Sequence, residues 1–210
     1  MPGIFIAFEG LDGSGKTTTL RTVAAQLEAM GHPICITREP GGTNLGRRIR
    51  SLVLEGAETI QPETELLLMC ADRAEHVRTL IRPALIEGQI VLTDRFAAST
   101  IVYQGYGRGL DPHAIQHVLD FATGGLRPDL TLLFDVSMEV ANQRRASDVT
   151  NINQLDKLAV GIRARMRTGY LELAHTESNW IVIDASEASE VVAQSALEAI
   201  TSVIERRSNA

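Results

Sequence analysis

The chain has 210 residues, a length that fits one domain, and its 44 % hydrophobic and 22 % charged residues exclude a disordered or collagen-like chain. Its 26 acidic and 20 basic residues give a net charge of −6, and only 4 % of residues are aromatic, so we expect no nucleic-acid partner. The longest apolar run, residues 66–71, is far shorter than the roughly 20 residues of a membrane span. Because the sequence also has no segment of signal-peptide type, it predicts a cytoplasmic protein without a membrane partner.

Short apolar runs of strand length alternate with helix-length segments along the whole chain. The runs lie at residues 4–8, 34–37, 90–93, 130–136 and 180–183. Helices are predicted at residues 16–30, at about 44–54, from 62 to about 87 with a bend or break at Pro83, and on an amphipathic segment that includes residues 155–173. The alternation predicts a single α/β domain over residues 1–210, with a five-stranded parallel sheet flanked by helices in three layers. Ligands of such sheets bind beyond the carboxyl ends of the strands.

The first predicted strand is followed by a glycine-rich loop that matches the pattern G-x-x-x-x-G-K-[ST]. The strand before it and the helix after it are the context that this phosphate-binding motif requires. Lys16 would contact the β and γ phosphates, and the Thr17 hydroxyl would ligate Mg²⁺. We therefore predict a nucleotide site formed by Gly10, Leu11, Asp12, Gly13, Ser14, Gly15, Lys16, Thr17 and Thr18. The motif alone leaves the reaction open, because GTPases, ATPase motors and kinases share it.

A carboxylate and an arginine follow the third predicted strand. Asp94 ends the apolar run, where it can hold Mg²⁺ directly or through water. Arg95 comes next, and its guanidinium can receive a second phosphate group beside the metal. Asp135 ends the fourth strand and competes for the metal role, but Val136 follows it in place of an arginine. We therefore expect the metal at Thr17 and Asp94.

Three segments, in this order after the phosphate loop, resemble those of thymidylate kinases: Arg38-Glu39-Pro40-Gly41-Gly42-Thr43, Asp94-Arg95-Phe96 and Tyr103-Gln104-Gly105. Two more, Arg127-Pro128-Asp129-Leu130-Thr131 and Tyr170-Leu171-Glu172-Leu173-Ala174, extend the similarity from residue 4 to about residue 204. The similarity is to the bacterial type with no arginine in the phosphate loop. It implies a P-loop NTPase fold like that of nucleoside monophosphate kinases, and a homodimer. It also implies Mg²⁺-dependent transfer of the γ-phosphoryl group of ATP to dTMP, giving dTDP for dTTP biosynthesis.

The resemblance also implies roles for individual residues on the dTMP side of the site. Arg50 and Arg95 would lie toward the acceptor phosphate, while Arg73 and Gln104 would lie toward thymine. Tyr103 would contact the deoxyribose. Asp12 would lie between the metal and the sugar, and Met69 stands where many relatives stack a phenylalanine on thymine. The complete implied dTMP set is Asp12, Glu39, Pro40, Arg50, Met69, Arg73, Arg95, Thr100, Tyr103 and Gln104.

The chain departs from the family in the lid, the segment at about residues 144–154 between the fourth strand and the next long helix. Relatives without an arginine in the phosphate loop supply one from this lid, usually within a D-R-x-E element that this chain lacks. Arg144 or Arg145 is the first candidate here, and Arg163 and Arg167 are the second. The implied catalytic set is Lys16, Asp94, Arg95, Arg144 and Arg145. The sparse lid leaves two alternatives: a nucleotide-binding relative with impaired catalysis, or a kinase of another nucleoside monophosphate or a deoxynucleoside.

Overall fold

A computed structural model describes residues 3–56, 59–147 and 160–208. Its strands form one five-stranded sheet in the order β2-β3-β1-β4-β5, and every neighbouring pair is parallel. The strands are β1 (Ile4–Glu9), β2 (Ile34–Arg38), β3 (Ile90–Asp94), β4 (Leu130–Asp135) and β5 (Trp180–Asp184). The predicted sheet, with helices on both faces, is therefore confirmed.

Helices connect the strands and cover both faces of the sheet. They are α1 (Lys16–Ala29), α2 (Asn44–Arg50), α3 (Pro62–His76), α4 (Arg82–Ile86), α5 (Ala97–Thr100), α6 (Pro112–Thr123), α7 (Met138–Ser147), α8 (Val160–Thr176) and α9 (Ser189–Ser208). Wider π-helical turns at Ser51–Glu55, Val77–Ile81 and Ile101–Gly107 extend α2, α3 and α5. Among the helices within the described ranges, none is both long and apolar enough to cross a membrane.

The irregularity of the long helix predicted from residue 62 lies before Pro83 and not at it. The chain stays helical through α3 and α4, and the backbone widens over Val77–Ile81 instead of breaking at Pro83. Pro83 directly follows this wider turn, and it has no N–H group to donate to the helical turn before it. The wider turn just before it provides space for the proline ring, which would clash with a regular preceding turn.

The central strand β1 packs against helices on both of its faces. Ile6 and Phe8 belong to a buried cluster with Leu20 of α1 and Ile200 of α9. Phe5 faces the opposite layer, where it joins the cluster beneath the π turn and α4. Because successive side chains of a strand point to opposite faces, a strand covered on both sides must be apolar throughout. This accounts for the uninterrupted apolar run in the sequence.

All five strands end on a charged residue at the same edge of the sheet. These residues are Glu9, Arg38, Asp94, Asp135 and Asp184, in the order β1 to β5. The parallel register aligns them: Asp94 pairs with Arg38 of β2 and with Phe8 of β1, next to Glu9. Glu9 is buried and Asp94 and Asp135 are partly buried, so these charges require hydrogen-bonding partners, which the helices and loops at this edge supply.

Candidate active site

The loop between β1 and α1 has the shape of an anion cradle. Gly10 has a φ of 138°, and a Cβ atom there would lie 2.5 Å from the carbonyl oxygen of Phe134, so only glycine fits. The loop leads into the N-terminus of α1, whose first turn carries no acidic side chain. The Ser14 hydroxyl is buried, and it has no hydrogen-bond partner among the described residues. The positive helix end and this unused hydroxyl both fit a bound phosphate group.

Lys16 is buried at the base of this loop, and its Nζ donates to the carbonyl oxygen of Leu11 at 3.0 Å. Burial and the positive charge of Arg95 lower the pKa of Lys16 to about 8, while Asp94 and Asp12 act in the opposite direction. An anion bound in the loop would stabilise the charged ammonium form. Binding of a phosphate group in the loop would therefore raise the pKa of Lys16 and favour its charged form.

Two oxygen ligands converge beside the loop at the end of β3. The Thr17 hydroxyl donates to Asp94 Oδ2 at 2.5 Å, so the predicted metal ligands are in contact. Within the described residues, no group of three or more His, Cys, Asp or Glu side chains could hold a metal ion. Mg²⁺ commonly binds through one or two protein oxygens, with water and substrate phosphates completing its coordination. This donor set fits Mg²⁺ bound together with a nucleotide.

Arg95 connects the phosphate loop to the other half of the site. Its Nη2 donates to Asp12 Oδ1 of the loop at 2.6 Å and to the Tyr103 hydroxyl at 2.9 Å. Its Nη1 donates to Ser99 Oγ at 3.0 Å and to the Tyr170 hydroxyl at 3.2 Å. The guanidinium also lies 4.9 Å from the centre of the Tyr103 ring, a cation–π contact. These contacts hold the guanidinium in one orientation.

Arg73 is fixed in a second buried network, on α3. Its Nε donates to Glu39 Oε2 at 2.7 Å, and its Nη1 donates to Thr100 Oγ1 at 2.9 Å. The other oxygen of Glu39 lies 2.8 Å from Nδ1 of His76, whose Nε2 lies 2.6 Å from the Thr37 hydroxyl. Both oxygens of Glu39 are thus engaged with protein groups. Glu39 therefore orients Arg73, and a direct contact with a ligand is not needed to explain its burial.

Asp72 belongs to the same region but is incompletely paired. Its Oδ1 accepts from the backbone N–H of Gly41 at 3.1 Å, whereas its Oδ2 has no hydrogen-bond partner among the described residues. Burial, together with the nearby negative charge of Glu39, raises the pKa of Asp72 to about 6. An incompletely paired carboxyl group of this kind lowers stability when it is ionised.

One cavity, of about 80 Å³, lies between Arg73 and Arg95. All ten residues predicted for dTMP line it, and Leu54, Asp72 and Ser99 complete the lining. The residues come from the phosphate loop, the loop after β2, the end of α2 and the helical turn after it, α3, and the segment from the end of β3 to the π turn after α5. The fold thus brings together positions that are far apart in the chain, such as Asp12 and Tyr103, which are 91 residues apart.

The lid prediction falls largely outside the described residues. Residues 148–154 and the side chain of Arg145 are not described. The side chain of Arg144 is described, and its Nη1 donates to the carbonyl oxygen of Ala185, after β5, at 2.7 Å. This contact of Arg144 is thus with the residue that follows the edge strand β5.

Helix α8 brings the other two candidate arginines to the edge of the sheet. Nη2 of Arg163 lies 3.5 Å from the backbone carbonyl oxygen of Asp12, in the phosphate loop. Arg167 donates from Nε and Nη2 to the two oxygens of Asp135, both at 2.7 Å. Asp135, the competitor for the metal role, is therefore held in a bidentate ion pair, which favours Asp94 as the metal ligand.

Comparison with known proteins adds to this geometry. The protein-family model described as "Thymidylate kinase" matches residues 8–196, most of the chain. The chain belongs to the thymidylate kinase family. The thymidylate kinase of Nitratidesulfovibrio vulgaris (strain Miyazaki F) is 45 % identical over 209 residues, covering 96 % of this chain and 97 % of its own. That of Thermomicrobium roseum is 46 % identical over 203 residues, covering 96 % of each chain.

The reaction of this thymidylate kinase family member is the phosphorylation of dTMP. Five residues of its polar network were not assigned a site role from sequence: Glu9, Asp72, His76, Ser99 and Tyr170. Each makes its contacts through the tertiary structure. Two signals were nevertheless present in the sequence. Glu9 is a charged residue at the end of an apolar strand, and Asp72 directly precedes a predicted site arginine.

Proposed function

We propose that the chain transfers the γ-phosphoryl group of Mg²⁺-bound ATP to dTMP, with ATP in the loop at residues 10–18 and dTMP in the cavity between Arg73 and Arg95. The position of Arg95 supports this most strongly. Arg95 lines the cavity, and its guanidinium contacts Asp12 of the phosphate loop at 2.6 Å. A phosphate group held by Arg95 would therefore lie next to the terminal phosphate of a nucleotide in the loop. Such proximity is the main requirement of phosphoryl transfer.

The proposed mechanism needs no general base. A phosphate monoester has a second pKa of about 6, so at neutral pH the dTMP phosphate is already largely a dianion and a competent nucleophile. Lys16 would neutralise charge on the β and γ phosphates, and Arg95 would hold the acceptor in line. Thr17 and Asp94 would hold Mg²⁺, which neutralises the triphosphate and orients it.

The cavity also carries hydrogen-bonding groups that suit thymine. Gln104 donates its amide N–H to Glu65 Oε1 at 2.7 Å, which leaves its carbonyl oxygen as the acceptor of that side chain. Arg73 can only donate. Thymine offers a carbonyl acceptor, O4, beside a donor, N3–H, whereas cytosine has a donor and an acceptor in the corresponding places. We propose that Arg73 and Gln104 read this difference.

A comparison of nucleoside monophosphates tests the proposed reaction. With ATP and Mg²⁺, kcat/KM for dTMP is expected to exceed that for dCMP by at least about 10²-fold. The cytosine donor would face the donors of Arg73, and the cytosine acceptor would face the acceptor oxygen of Gln104. A coupled assay that follows ADP release measures both values. Comparable turnover of dCMP would contradict the assignment of Arg73 and Gln104. Binding of ATP and dTMP without dTDP formation would instead indicate a catalytically impaired relative.

We further propose that Arg163 covers the transferring phosphoryl group, with Arg144 and Arg145 as the alternative. Arg163 lies on α8, two turns before Tyr170, which contacts Arg95. Its guanidinium is 3.5 Å from the Asp12 carbonyl oxygen, so it already lies at the rim of the phosphate loop. Arg144 is directed to Ala185, and Arg167 is paired with Asp135. The geometry of these described contacts favours Arg163.

Replacement of Arg163 by alanine is expected to lower kcat by at least about tenfold with little change in the KM for dTMP, because an arginine that stabilises the transition state acts on kcat. Steady-state kinetics measure both constants. Arg165→Ala is the matched control: Arg165 lies on the same helix but contacts the carbonyl oxygens of Tyr106 and Gly107, away from the loop. An unchanged kcat in Arg163→Ala, with a loss in Arg144→Ala or Arg145→Ala, would transfer the role to the lid.

We also propose that the chain forms a homodimer and acts in the cytoplasm. Exposed apolar side chains on two packed helices support the dimer: Leu67 on α3 and Phe121 on α6 are both exposed, although α3 and α6 share a buried cluster. Apolar side chains on adjacent helices are typical of an interface between protein chains. A solution mass of two chains would support this proposal. The cytoplasmic location follows from the reaction, which serves dTTP biosynthesis.

A further inference from the structure

Glu9 carries a buried carboxylate to which the mechanism above gives no role. It is the last residue of β1 and directly precedes the phosphate loop, and it is completely buried. Its Oε1 accepts from the backbone N–H groups of Phe96 and Ser99, at 2.8 and 3.2 Å. Its Oε2 accepts from the hydroxyls of Ser99 and Tyr170, at 2.7 and 3.0 Å. Burial raises the pKa of Glu9, whereas Arg95 and these hydrogen bonds lower it. All four contacts place a donor against a carboxyl oxygen, which is the arrangement of a carboxylate that acts only as an acceptor.

The two hydroxyls on Oε2 also contact Arg95, and donor–acceptor counting sets their direction. A guanidinium only donates, and each hydroxyl has one proton. The Ser99 and Tyr170 oxygens must therefore use lone pairs toward Arg95. Each hydroxyl could give its proton to Glu9 or to the other hydroxyl, since the Ser99 and Tyr170 oxygens lie 3.0 Å apart. The carboxylate is the stronger acceptor, so both protons are directed to Glu9. Arg95 thus donates to the two hydroxyls, and the two hydroxyls donate in turn to Glu9.

Glu9 also contacts the backbone that carries Arg95. Arg95 has a φ of 74°, a left-handed conformation that is unfavourable for an arginine. Its own N–H donates to the carbonyl oxygen of Phe8 at 3.0 Å, and its carbonyl oxygen accepts from the Thr93 hydroxyl at 2.8 Å. The next N–H group, that of Phe96, donates to Glu9. The carboxylate thus fixes both the backbone after Arg95 and the partners of its guanidinium.

We propose that Glu9 is a positioning residue for Arg95: its buried carboxylate takes the hydroxyl protons of Ser99 and Tyr170, so that both oxygens accept from the guanidinium and hold it toward the acceptor phosphate. The proposal rests on the proposed function, in which Arg95 binds that phosphate. It assigns to Glu9 an effect on the phosphate of dTMP and none on the base or on ATP.

The isosteric change Glu9→Gln tests this directly. The backbone N–H groups cannot reverse, so the amide oxygen of glutamine is expected to face them and its NH₂ group to face the two hydroxyls. Those hydroxyls would then accept from Gln, and their protons, without the Glu9 acceptor, would be left for each other or would face Arg95, which weakens their hold on the guanidinium. We expect kcat/KM for dTMP to fall by about tenfold, with the KM for ATP within about twofold of wild type.

Ligand binding separates positioning from a general structural role. The dissociation constant of dTMP is expected to rise by about tenfold in Glu9→Gln, while that of thymidine, which has no phosphate, changes by less than about twofold. Isothermal titration calorimetry measures both. Equal losses for dTMP, thymidine and ATP would show that Glu9 only supports the fold, and no loss for dTMP would also overturn the proposal.

A second variant keeps the test valid if Glu9→Gln does not fold. Tyr170→Phe removes one hydroxyl of the layer and keeps the carboxylate, and we expect a dTMP-specific loss of about threefold. In a folded double variant the two losses should not multiply, because both changes act on the same contact. Tyr106→Phe is the matched control, since Tyr106 also donates to a glutamate, Glu172, but on the exposed surface. A Tyr170→Phe variant that behaves like Tyr106→Phe would overturn the proposal.

Variants of Arg95 and Glu9 together separate the positioning role of Glu9 from the assignment of Arg95 to the acceptor phosphate. If removal of the Arg95 side chain weakens dTMP binding specifically and Glu9→Gln does not, the positioning role is wrong and the proposed function stands. If neither change has a phosphate-specific effect, the assignment of Arg95 to the acceptor phosphate is wrong, and the role of Glu9 falls with it.

Discussion

Replacement of Arg95 by glycine is expected to lower kcat/KM for dTMP by at least about 10²-fold, because the acceptor phosphate would lose its guanidinium partner. Removing one partner of a buried, hydrogen-bonded charge pair costs about 2–5 kcal/mol. The change deletes the guanidinium that contacts Asp12 and Tyr103. Glycine adopts the observed φ of 74° without strain, so the loop after β3 should keep its shape. Steady-state kinetics with varied dTMP, together with thermal unfolding, separate the loss of function from a loss of stability.

Two further variants at this position identify which property of Arg95 matters. Arg95→Ala removes the same side chain but is strained at a positive φ, so it should be less stable than Arg95→Gly by about 1 kcal/mol and equally inactive. Arg95→Lys keeps the charge and loses the planar fork, so its activity should lie between those of wild type and Arg95→Gly. A kcat/KM within about threefold of wild type in Arg95→Gly would remove Arg95 from the mechanism.

Replacement of Lys16 by methionine is expected to lower kcat by at least about 10²-fold, the loss typical of removing one preorganised charge from the site of developing charge. Methionine keeps the approximate length of the side chain without its charge. The buried Lys16 ammonium has a pKa lowered to about 8, mainly by burial, so its charge destabilises the ligand-free fold. The methionine variant should therefore be at least as stable as wild type without nucleotide.

Stability and turnover must be measured on the same Lys16→Met preparation. Chemical unfolding gives the free energy of unfolding without ligand, and the coupled assay gives kcat. An inactive variant that is also strongly destabilised would leave the loss of activity to misfolding, which contradicts a purely electrostatic role. A folded variant with a kcat near that of wild type would remove Lys16 from its assigned role at the β and γ phosphates.

The sequence was most informative where local pattern and function coincide. The phosphate loop is recognisable because glycine at Gly10 and a lysine at the start of α1 are local requirements of anion binding. The five strands are recognisable because strands covered on both faces are apolar throughout. Ten of the thirteen residues that line the cavity between Arg73 and Arg95 were predicted from family resemblance, and Leu54, Asp72 and Ser99 were not. Their spacing along the chain does not by itself indicate that they meet.

The polar network beneath Arg95 could not be derived in this way. Whether Glu9 is a solvated strand end or a buried carboxylate depends on Ser99 and Tyr170, which lie ninety or more residues away in the chain. The π turn before Pro83 depends on how the helix packs, so the sequence indicated an irregularity but misplaced it. From sequence, Arg144 ranks above Arg163 and Arg167 because it lies in the lid segment, whereas their contacts with Ala185, Asp12 and Asp135 favour Arg163.

The central claim is that Arg95 binds the acceptor phosphate beside the phosphate loop. The most direct test is the affinity of wild type and Arg95→Gly for dTMP and for thymidine, measured by isothermal titration calorimetry without ATP. We predict that the change raises the dissociation constant of dTMP by at least about tenfold and that of thymidine by less than about twofold. Loss of affinity for both ligands by the same factor, or unchanged affinity for dTMP, would contradict it.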